Sequence, residues 1–412
     1  MPTTYRGLFR TPEFTPLFAT ASTQVAASTV SGLALGTLVY AATRSPLLSA
    51  LSMFGPSLAQ VIGATALLSA ADRLPPRAAT TGLALAFALG TAALAVPGLP
   101  LWAVFVVIML LGLVGSVAGG VRYGLLSEIL PGETYLLGRS VLNMSAGTMQ
   151  ICGFAVGGGL VTALSPRGTL LTGAALYLAT AAVAWFGLGG RPPRTAGRPS
   201  IAVTWRTNAR LWSSPPRRYV YLALWVPNGL IVGCESLFVP YAPRHAGLLF
   251  AFAAGGMLLG DTLTGRFVSP DWRRRLDAPL RLLLAAPYLV FAAHPGLGLA
   301  VAAVTLASIG YSATLLLQDR LMALTPKDAH GQALGLHSAG MLTMQGVGAA
   351  LAGAVAQHVS PATAMAVMAV GSVAVTFLLA PGLRGEPGAV PTRSSQQRHE
   401  TQKGVSNAVT GD

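Results

Sequence analysis

The feature that most constrains this chain is a series of long apolar runs, each bounded by proline, glycine or charged residues. A run of about 20 apolar residues is what an α-helix needs to cross the hydrocarbon core of a bilayer. The sequence therefore predicts twelve membrane-spanning helices. The runs are Phe14–Tyr40, Leu47–Ala70, Ala78–Val96, Leu101–Leu126, Arg139–Leu164, Thr169–Leu188, Tyr219–Val239, Gly247–Arg266, Leu280–Ala293, Leu297–Leu317, Gln332–His358 and Ala362–Leu379.

The composition excludes a water-soluble globular protein. Only 10% of the 412 residues are charged and 53% are hydrophobic, whereas a soluble domain carries about 25% charged residues. The first run is rich in Ser and Thr and is followed by eleven more, which indicates a retained helix rather than a signal peptide. Both cysteines, Cys152 and Cys234, lie in apolar runs, which indicates buried free thiols rather than disulfides or a metal site.

The basic residues are unevenly distributed among the predicted loops. If the N-terminus is cytoplasmic, 23 of the 27 Lys and Arg residues lie on the cytoplasmic side, and Arg44, Arg167 and Arg244 lie outside. Cytoplasmic loops of membrane proteins carry such an excess. The pattern predicts a multi-pass protein of the cell membrane with both termini cytoplasmic. It also explains the net charge of +14 without a nucleic-acid partner.

The chain divides into two halves at a basic stretch rich in Pro and Gly. Residues 189–218 hold seven arginines and no acidic residue, so they are interpreted as a cytoplasmic linker. It joins a six-helix bundle in residues 1–188 to a second in residues 219–380. Residues 381–412 lose the apolar periodicity and are predicted to form a disordered cytoplasmic tail.

The two halves are related by an internal repeat. A shift of 193 positions superposes Gly63 on Gly256, Arg73 on Arg266, and Ser145-Ala146-Gly147 on Ser338-Ala339-Gly340. Repeats of this kind are typical of secondary transporters with a midplane binding site. The sequence therefore predicts an all-α membrane protein with twelve transmembrane helices in two pseudo-symmetric six-helix bundles.

Two cytoplasmic segments resemble motifs of the major facilitator superfamily. Residues 71–77 read ADRLPPR, similar to the family's G-x-L-A-D-R-x-x-x-R loop. Residues 121–131 read VRYGLLSEILP and resemble the A-R-Q-A-L-L-P-D-L-V-P segment of the macrolide-efflux and enterobactin-exporter branch. The arginine that drug:proton antiporters carry in mid span four has no counterpart, since Val107 and Ile108 stand there. The resemblance covers the chain apart from its tail and implies a transporter that works by alternating access.

Charged residues at the predicted cytoplasmic helix ends form a candidate gate. Arg73, Arg77 and Glu128 can pair across adjoining helices, and Asp72 can cap a helix N-terminus. The resemblance implies that such a cluster latches the outward-facing state. The alternative is a set of solvated or snorkelling interfacial charges. The candidate gate residues are Asp72, Arg73, Arg77, Arg122, Glu128, Asp261, Arg266 and Asp319.

Polar side chains at mid-depth of several spans are candidates for a substrate cavity. An amide facing lipid would leave its donors unpaired, at a cost of several kcal/mol, so these amides are expected to converge on one cavity. Aromatic and Met side chains would supply apolar area. Helix packing is the alternative for the small residues among them. The candidate cavity residues are Gln24, Asn143, Gln150, Phe154, Trp225, Asn228, Tyr311, Met341, Met344 and Gln345.

Four ionisable residues lie within the spans. Glu235 is the candidate for proton coupling, although it lies about 24 Å along span seven, near the outer interface. Asp261 lies near the inner interface, which favours a role in the gate. Arg122 can snorkel inward, bind an anionic substrate or pair with a carboxylate. His337 can titrate near neutrality or simply pack.

These observations favour a secondary active transporter that exports a small organic molecule, a drug or metabolite, coupled to protons. The sequence has no G-x-x-x-x-G-K-[ST] loop for ATP and no D-x-x-x-D cluster of the kind a membrane prenyl or acyl transferase needs. No enzymatic activity, cofactor or metal is therefore expected. The alternatives are a polytopic membrane enzyme and a transporter-like receptor without flux. The expected partners are the substrate, protons and the lipid bilayer, and a monomer is expected.

Overall fold

The computed structural model describes residues 5–66, 74–130, 132–193, 201–326 and 329–384, and in this part of the chain every regular element is a helix. Eleven of these helices are long and apolar enough to cross a membrane. Large apolar side chains such as Trp102, Phe186 and Leu378 are more than two-thirds exposed on their outer faces. A lipid environment accommodates that surface, whereas water would not.

The membrane helices are numbered in chain order, with one long helix counted as two. They are α1 (Phe14–Thr43), α2 (Pro46–Ala66), α3 (Pro76–Leu94), α4 (Leu101–Ile129), α5 and α6 (the two arms of Glu133–Gly187), α7 (Pro215–Tyr241), α8 (Ala246–Phe267), α9 (Pro270–Ala285, continued by the 3-10 turns Ala286–Ala293), α10 (Leu297–Ala323), α11 (His330–Val355) and α12 (Pro361–Arg384).

The helix Glu133–Gly187 is broken at Ser165. This residue has φ 71° and ψ 162°, and Pro166 follows it. Proline lacks the N–H that would continue the helix, and the residue before a proline is pushed away from helical angles. The break separates α5 from α6, so the described helices make twelve spans. This confirms the predicted all-α fold with twelve transmembrane helices.

The internal repeat appears as equivalent helix contacts in the two halves. A Cβ added at Gly63 on α2 would lie 2.8 Å from the Leu113 carbonyl oxygen of α4. A Cβ added at Gly256 on α8 would collide with the Thr305 carbonyl oxygen of α10. Glycine thus allows the same close approach of the second and fourth helices in each half.

We call the end of the molecule where α1 begins and α12 ends the termini end, and the other end the opposite end. The two halves meet toward the opposite end. The Phe154 ring of α5 stacks on the Phe250 ring of α8, with centroids 4.7 Å apart. At the opposite end, the Gln357 Nε2 donates a hydrogen bond to the Ser45 Oγ at 2.5 Å.

The predicted linker contains a helix that the sequence reading did not anticipate. Residues Ile201–Ser213 form this linker helix. The Trp212 ring lies parallel to the Trp225 ring of α7, with centroids 5.7 Å apart, and the Gln332 Nε2 of α11 donates to the Asn208 Oδ1 at 2.6 Å. The linker helix therefore packs on the second half at its termini end. The predicted tail lies, from residue 385 on, outside the described residues.

Candidate functional site

The first half encloses a cavity of about 340 Å³. Its walls come from α1, α2, α3, α4 and α6, and the polar groups among them are Gln24, Ser28, Ser31, Ser52, Ser57, Gln60, Thr91, Arg122 and Tyr177. Apolar side chains such as Ile108 and Leu170 complete the lining. A cavity of this size and mixed polarity fits a small organic molecule.

Arg122 is the cationic residue of this cavity. Its Nη2 donates a hydrogen bond to the Gln24 Oε1 at 3.0 Å. Gln24 lies ten residues into α1, about 15 Å from the start of that helix. The Arg122 guanidinium therefore points into the first half rather than out to the interface. Its geometry places it with the cavity residues and apart from Glu128, with which the gate prediction grouped it.

The second half holds a buried acidic cluster at α7, α8, α9 and α10. Glu235 is 7% exposed and interacts electrostatically with the hydroxyls of Tyr288 and Tyr311. Tyr311 interacts in the same way with Asp261 and also lies against Asn228. Tyr311 therefore lies in the electrostatic neighbourhood of both carboxylates, Glu235 and Asp261. We call these five residues the acidic cluster.

The acidic cluster contains polar atoms without partners. The Asp261 Oδ1, the Asn228 Nδ2 and the Tyr288 hydroxyl are buried and make no hydrogen bond. Among the described residues, the Glu235 carboxylate also has no hydrogen bond and no ion pair. Buried polar atoms are ordinarily paired. The unpaired polar groups of the acidic cluster thus lie on three neighbouring helices, α7, α8 and α9.

Trp225 and His337 pack against each other near the termini end. The Trp225 Nε1 donates to the His337 carbonyl oxygen at 3.1 Å, and Gly340 leaves room for the indole ring. The His337 Nε2 lies 3.0 Å from the Gln318 Nε2. His337 is buried, and these contacts agree with the packing alternative for this residue.

The other predicted cavity residues lie on α5 and α11. Asn143 is exposed and accepts a hydrogen bond from the Tyr123 hydroxyl at 3.2 Å, and Gln150 is exposed too. Met341 is buried, whereas Met344 and Gln345 are half-buried. The Met344 backbone packs against Gly229 of α7.

The five predicted amides do not contact one another. Gln24 lines the first-half cavity, Asn228 belongs to the acidic cluster, and Asn143 faces Tyr123. The three- and four-residue spacing placed these amides on polar helix faces in the prediction. It did not indicate that α1 and α7 turn those faces into separate bundles. Convergence of the amides on one central cavity stays a prediction.

The structure describes part of the predicted gate. The Arg77 guanidinium lies over the Trp185 ring, 4.3 Å from its centroid, and does not pair with Glu128. Arg191 instead lies 3.5 Å from Glu128 and 2.7 Å from Glu13. Glu13 and Arg191 were missed because they are 178 positions apart in the sequence and only the folded bundle joins them.

In the second half, the predicted gate residue Arg266 lies beside an aromatic ring. Its guanidinium lies 6.0 Å from the centroid of the Phe267 ring. Asp261, predicted at the gate, lies in the acidic cluster instead. Asp72 and Arg73 lie outside the described residues, so their part in the gate stays a prediction.

The fold is shared with solved transporters. A POT family transporter in complex with 5-aminolevulinic acid is 12% identical, with a TM-score of 0.69 over 90% of this chain and 96% of that chain. The nucleoside transporter NupG is 12% identical, with a TM-score of 0.76 over 90% and 100%. A bacterial homologue of the human lysosomal transporter Spinster, inward-facing and unoccupied, is 14% identical, with a TM-score of 0.69 over 93% and 98%.

No family model matches the sequence, and a search of curated proteins gives no match. At 12% to 14% identity these comparisons show a shared fold, in agreement with the predicted all-α membrane fold. The compared structures are described as transporters. Assignment to the efflux branch stays a prediction.

Proposed function

We propose that the protein is a secondary active transporter that exports a small organic molecule in exchange for protons by alternating access. The halves would rock about their contacts so that a midplane site opens to one side and then to the other. Export follows from the resemblance of residues 121–131 to the efflux branch. The transported molecule would be a drug or metabolite.

The observation that carries the proposal is that the Glu235 carboxylate is buried without a partner among the described residues. The carboxylate lies inside the second half without a hydrogen bond or a counter-ion among the described residues. Ionisable residues at such places are costly and commonly belong to ion or proton pathways. Tyr311, which lies in the electrostatic neighbourhood of Glu235 and Asp261, would stand between the proton site and a carboxylate nearer the termini end.

The packing between the halves supports alternating access. Phe154, Gly158 and Ser45 of the first half touch Phe250, Gly247 and Gln357 of the second. At the termini end, Glu13 and Glu128 bind Arg191 within the first half, and Arg217 donates to the Leu324 carbonyl oxygen within the second. We interpret this as the state closed at the opposite end.

Transport in inside-out membrane vesicles tests the proposal. A panel of fluorescent drugs and metabolites is added outside, and the vesicle interior is made acidic. At least one compound should accumulate inside, and a protonophore should abolish the accumulation. If no compound moves under any gradient, the transport proposal is wrong and a receptor without flux becomes the better interpretation.

The Glu235→Gln variant tests proton coupling. It should still exchange the compound between the two sides, because the binding site is kept, but it should no longer accumulate it against a gradient. The Asp277→Asn variant is the control, since Asp277 pairs with Arg281 on α9 outside the acidic cluster. A Glu235→Gln protein with an unchanged pH profile would show that the proton uses another route, such as Asp261 or His337.

A further inference from the structure

We propose that the first-half cavity binds a small organic anion, and that the carboxylate of this ligand pairs with the Arg122 guanidinium beside Gln24. This inference deepens the proposed function and rests on it for the claim that the ligand is transported. Binding itself requires no flux and can be tested separately.

The first argument is the position of the charge. Arg122 lies seven residues before the end of α4 at Ile129, about 10 Å inside the helix. Its guanidinium could extend toward the interface but instead binds Gln24 on α1. A cationic side chain directed into the interior of a membrane protein is costly unless something compensates it.

The second argument is that the described part of the chain supplies no counter-ion for Arg122. Among the described residues, no carboxylate lies within 4.0 Å of the Arg122 guanidinium. Glu235, which is buried, and Asp261, which is half-buried, belong to the other half, and Glu13 and Glu128 are paired with Arg191. The hydrogen bond to Gln24 uses one N–H of the five that a guanidinium offers. The remaining N–H groups of the guanidinium are suited to a carboxylate, since a guanidinium can bind a carboxylate with two parallel hydrogen bonds.

The third argument is the shape of the cavity around the charge. The space of about 340 Å³ is bounded by Phe87, Leu94 and Ile108 on its apolar side. Hydroxyls and amides, among them Ser57 and Gln60, supply neutral hydrogen-bonding groups. The lining suits a molecule with an apolar body and one anionic end. A cationic ligand would be repelled by Arg122, and a neutral one would leave its charge uncompensated.

Equilibrium binding to the purified full-length chain in phosphatidylcholine nanodiscs tests the inference. Three probes of matched shape are used at neutral pH: benzoate, benzamide and benzylamine. A hydrogen-bonded charge pair should favour benzoate over benzamide by about 10-fold to 100-fold, and benzylamine should not bind. Equal binding of benzoate and benzamide by the wild-type chain would overturn the proposal without any variant.

Substitutions assign the preference to Arg122. The Arg122→Gln variant should lose the preference for benzoate, and Arg122→Lys should keep part of it because the charge remains while the fork geometry is lost. Arg244→Gln is the matched control, since Arg244 is exposed between α7 and α8. An Arg122→Gln protein that still prefers benzoate as strongly as the wild type would show that another group binds the anion.

The anion could also come from a lipid head group, which offers the same chemistry. Repeating the titration with about one-third phosphatidylglycerol in the nanodiscs separates the two sources. Unchanged benzoate affinity supports a free organic anion. Displacement of benzoate by the anionic lipid would overturn that form of the proposal and assign the cavity to a lipid phosphate.

Discussion

At the scale of single residues, the close packing of α7 on α11 depends on glycine. A Cβ added at Gly229 would lie 2.5 Å from the Met344 carbonyl oxygen, and one at Gly348 would collide with the Gly229 carbonyl oxygen. These contacts are between backbones, so no side chain can move to relieve a clash. The sequence placed both glycines inside predicted spans but could not show which of its 48 glycines face another helix.

We predict opposite effects of alanine at two glycines of α11. Gly348→Ala should lower the free energy of unfolding by about 1–3 kcal/mol, because the added methyl overpacks the α7 contact. Gly335→Ala should be neutral or slightly stabilising, because open space surrounds Gly335 and alanine favours helix. Thermal unfolding of the purified proteins in one detergent measures both. Equal melting temperatures would contradict the role assigned to Gly348.

At the scale of elements, the linker helix Ile201–Ser213 is the main addition to what the sequence predicted. Residues 189–218, which contain this helix and seven arginines, were interpreted as a linker because they are basic and rich in Pro and Gly. The contacts that hold it, Trp212 on Trp225 and Asn208 with Gln332, join positions far apart in the chain. Sequence patterns within one segment do not report such contacts. In contrast, the match between Gly63 and Gly256 in the internal repeat pointed to equivalent helix contacts in the two halves, because a repeat can be found by comparing the two halves of the sequence.

The linker helix provides a prediction with a matched control. Trp212→Ala should release the helix from the second half, since the indole stacks on Trp225 and lies close to Tyr221. Trypsin should then cleave after Arg206 or Arg210 several-fold faster. Trp205→Ala should change little, because Trp205 is 63% exposed. The rate of cleavage, followed by gel electrophoresis, is the measurement, and equal rates in the two variants would count against the docking.

At the scale of the whole molecule, most of the fold followed from the sequence, but the division of the site did not. Apolar length and basic asymmetry predicted the twelve helices, and the repeat predicted two halves. In the structure Arg122 and Gln24 share a cavity in one half, while Asn228, Glu235 and Asp261 lie near one another in the other. Which residues share a site depends on how each helix is rotated about its own axis within its bundle. The periodicity of one helix shows which residues share a face, but it does not show which neighbouring helix that face packs against.

Contact between the halves at the opposite end leads to a prediction for a cross-linked protein. Ser45→Cys combined with Gln357→Cys, in a Cys152→Ser background, places two thiols where the native side chains form a hydrogen bond. A short bismaleimide should join them and reduce transport at least several-fold, because the halves can no longer separate there. Each single-cysteine protein treated in the same way should keep its transport. Full activity of the cross-linked protein would show that this end does not open.

The approach of Gly158 to Gly247 has a consequence for the speed of opening. A Cβ on Gly247 would lie only 2.7 Å from the Gly158 Cα, so at this point two bare backbones touch without side chains between them. Surfaces without interdigitating side chains separate without a change of rotamers. The activation barrier at this seam then comes chiefly from unstacking Phe154 and Phe250, and a smaller side chain at either position should make the carrier turn over faster.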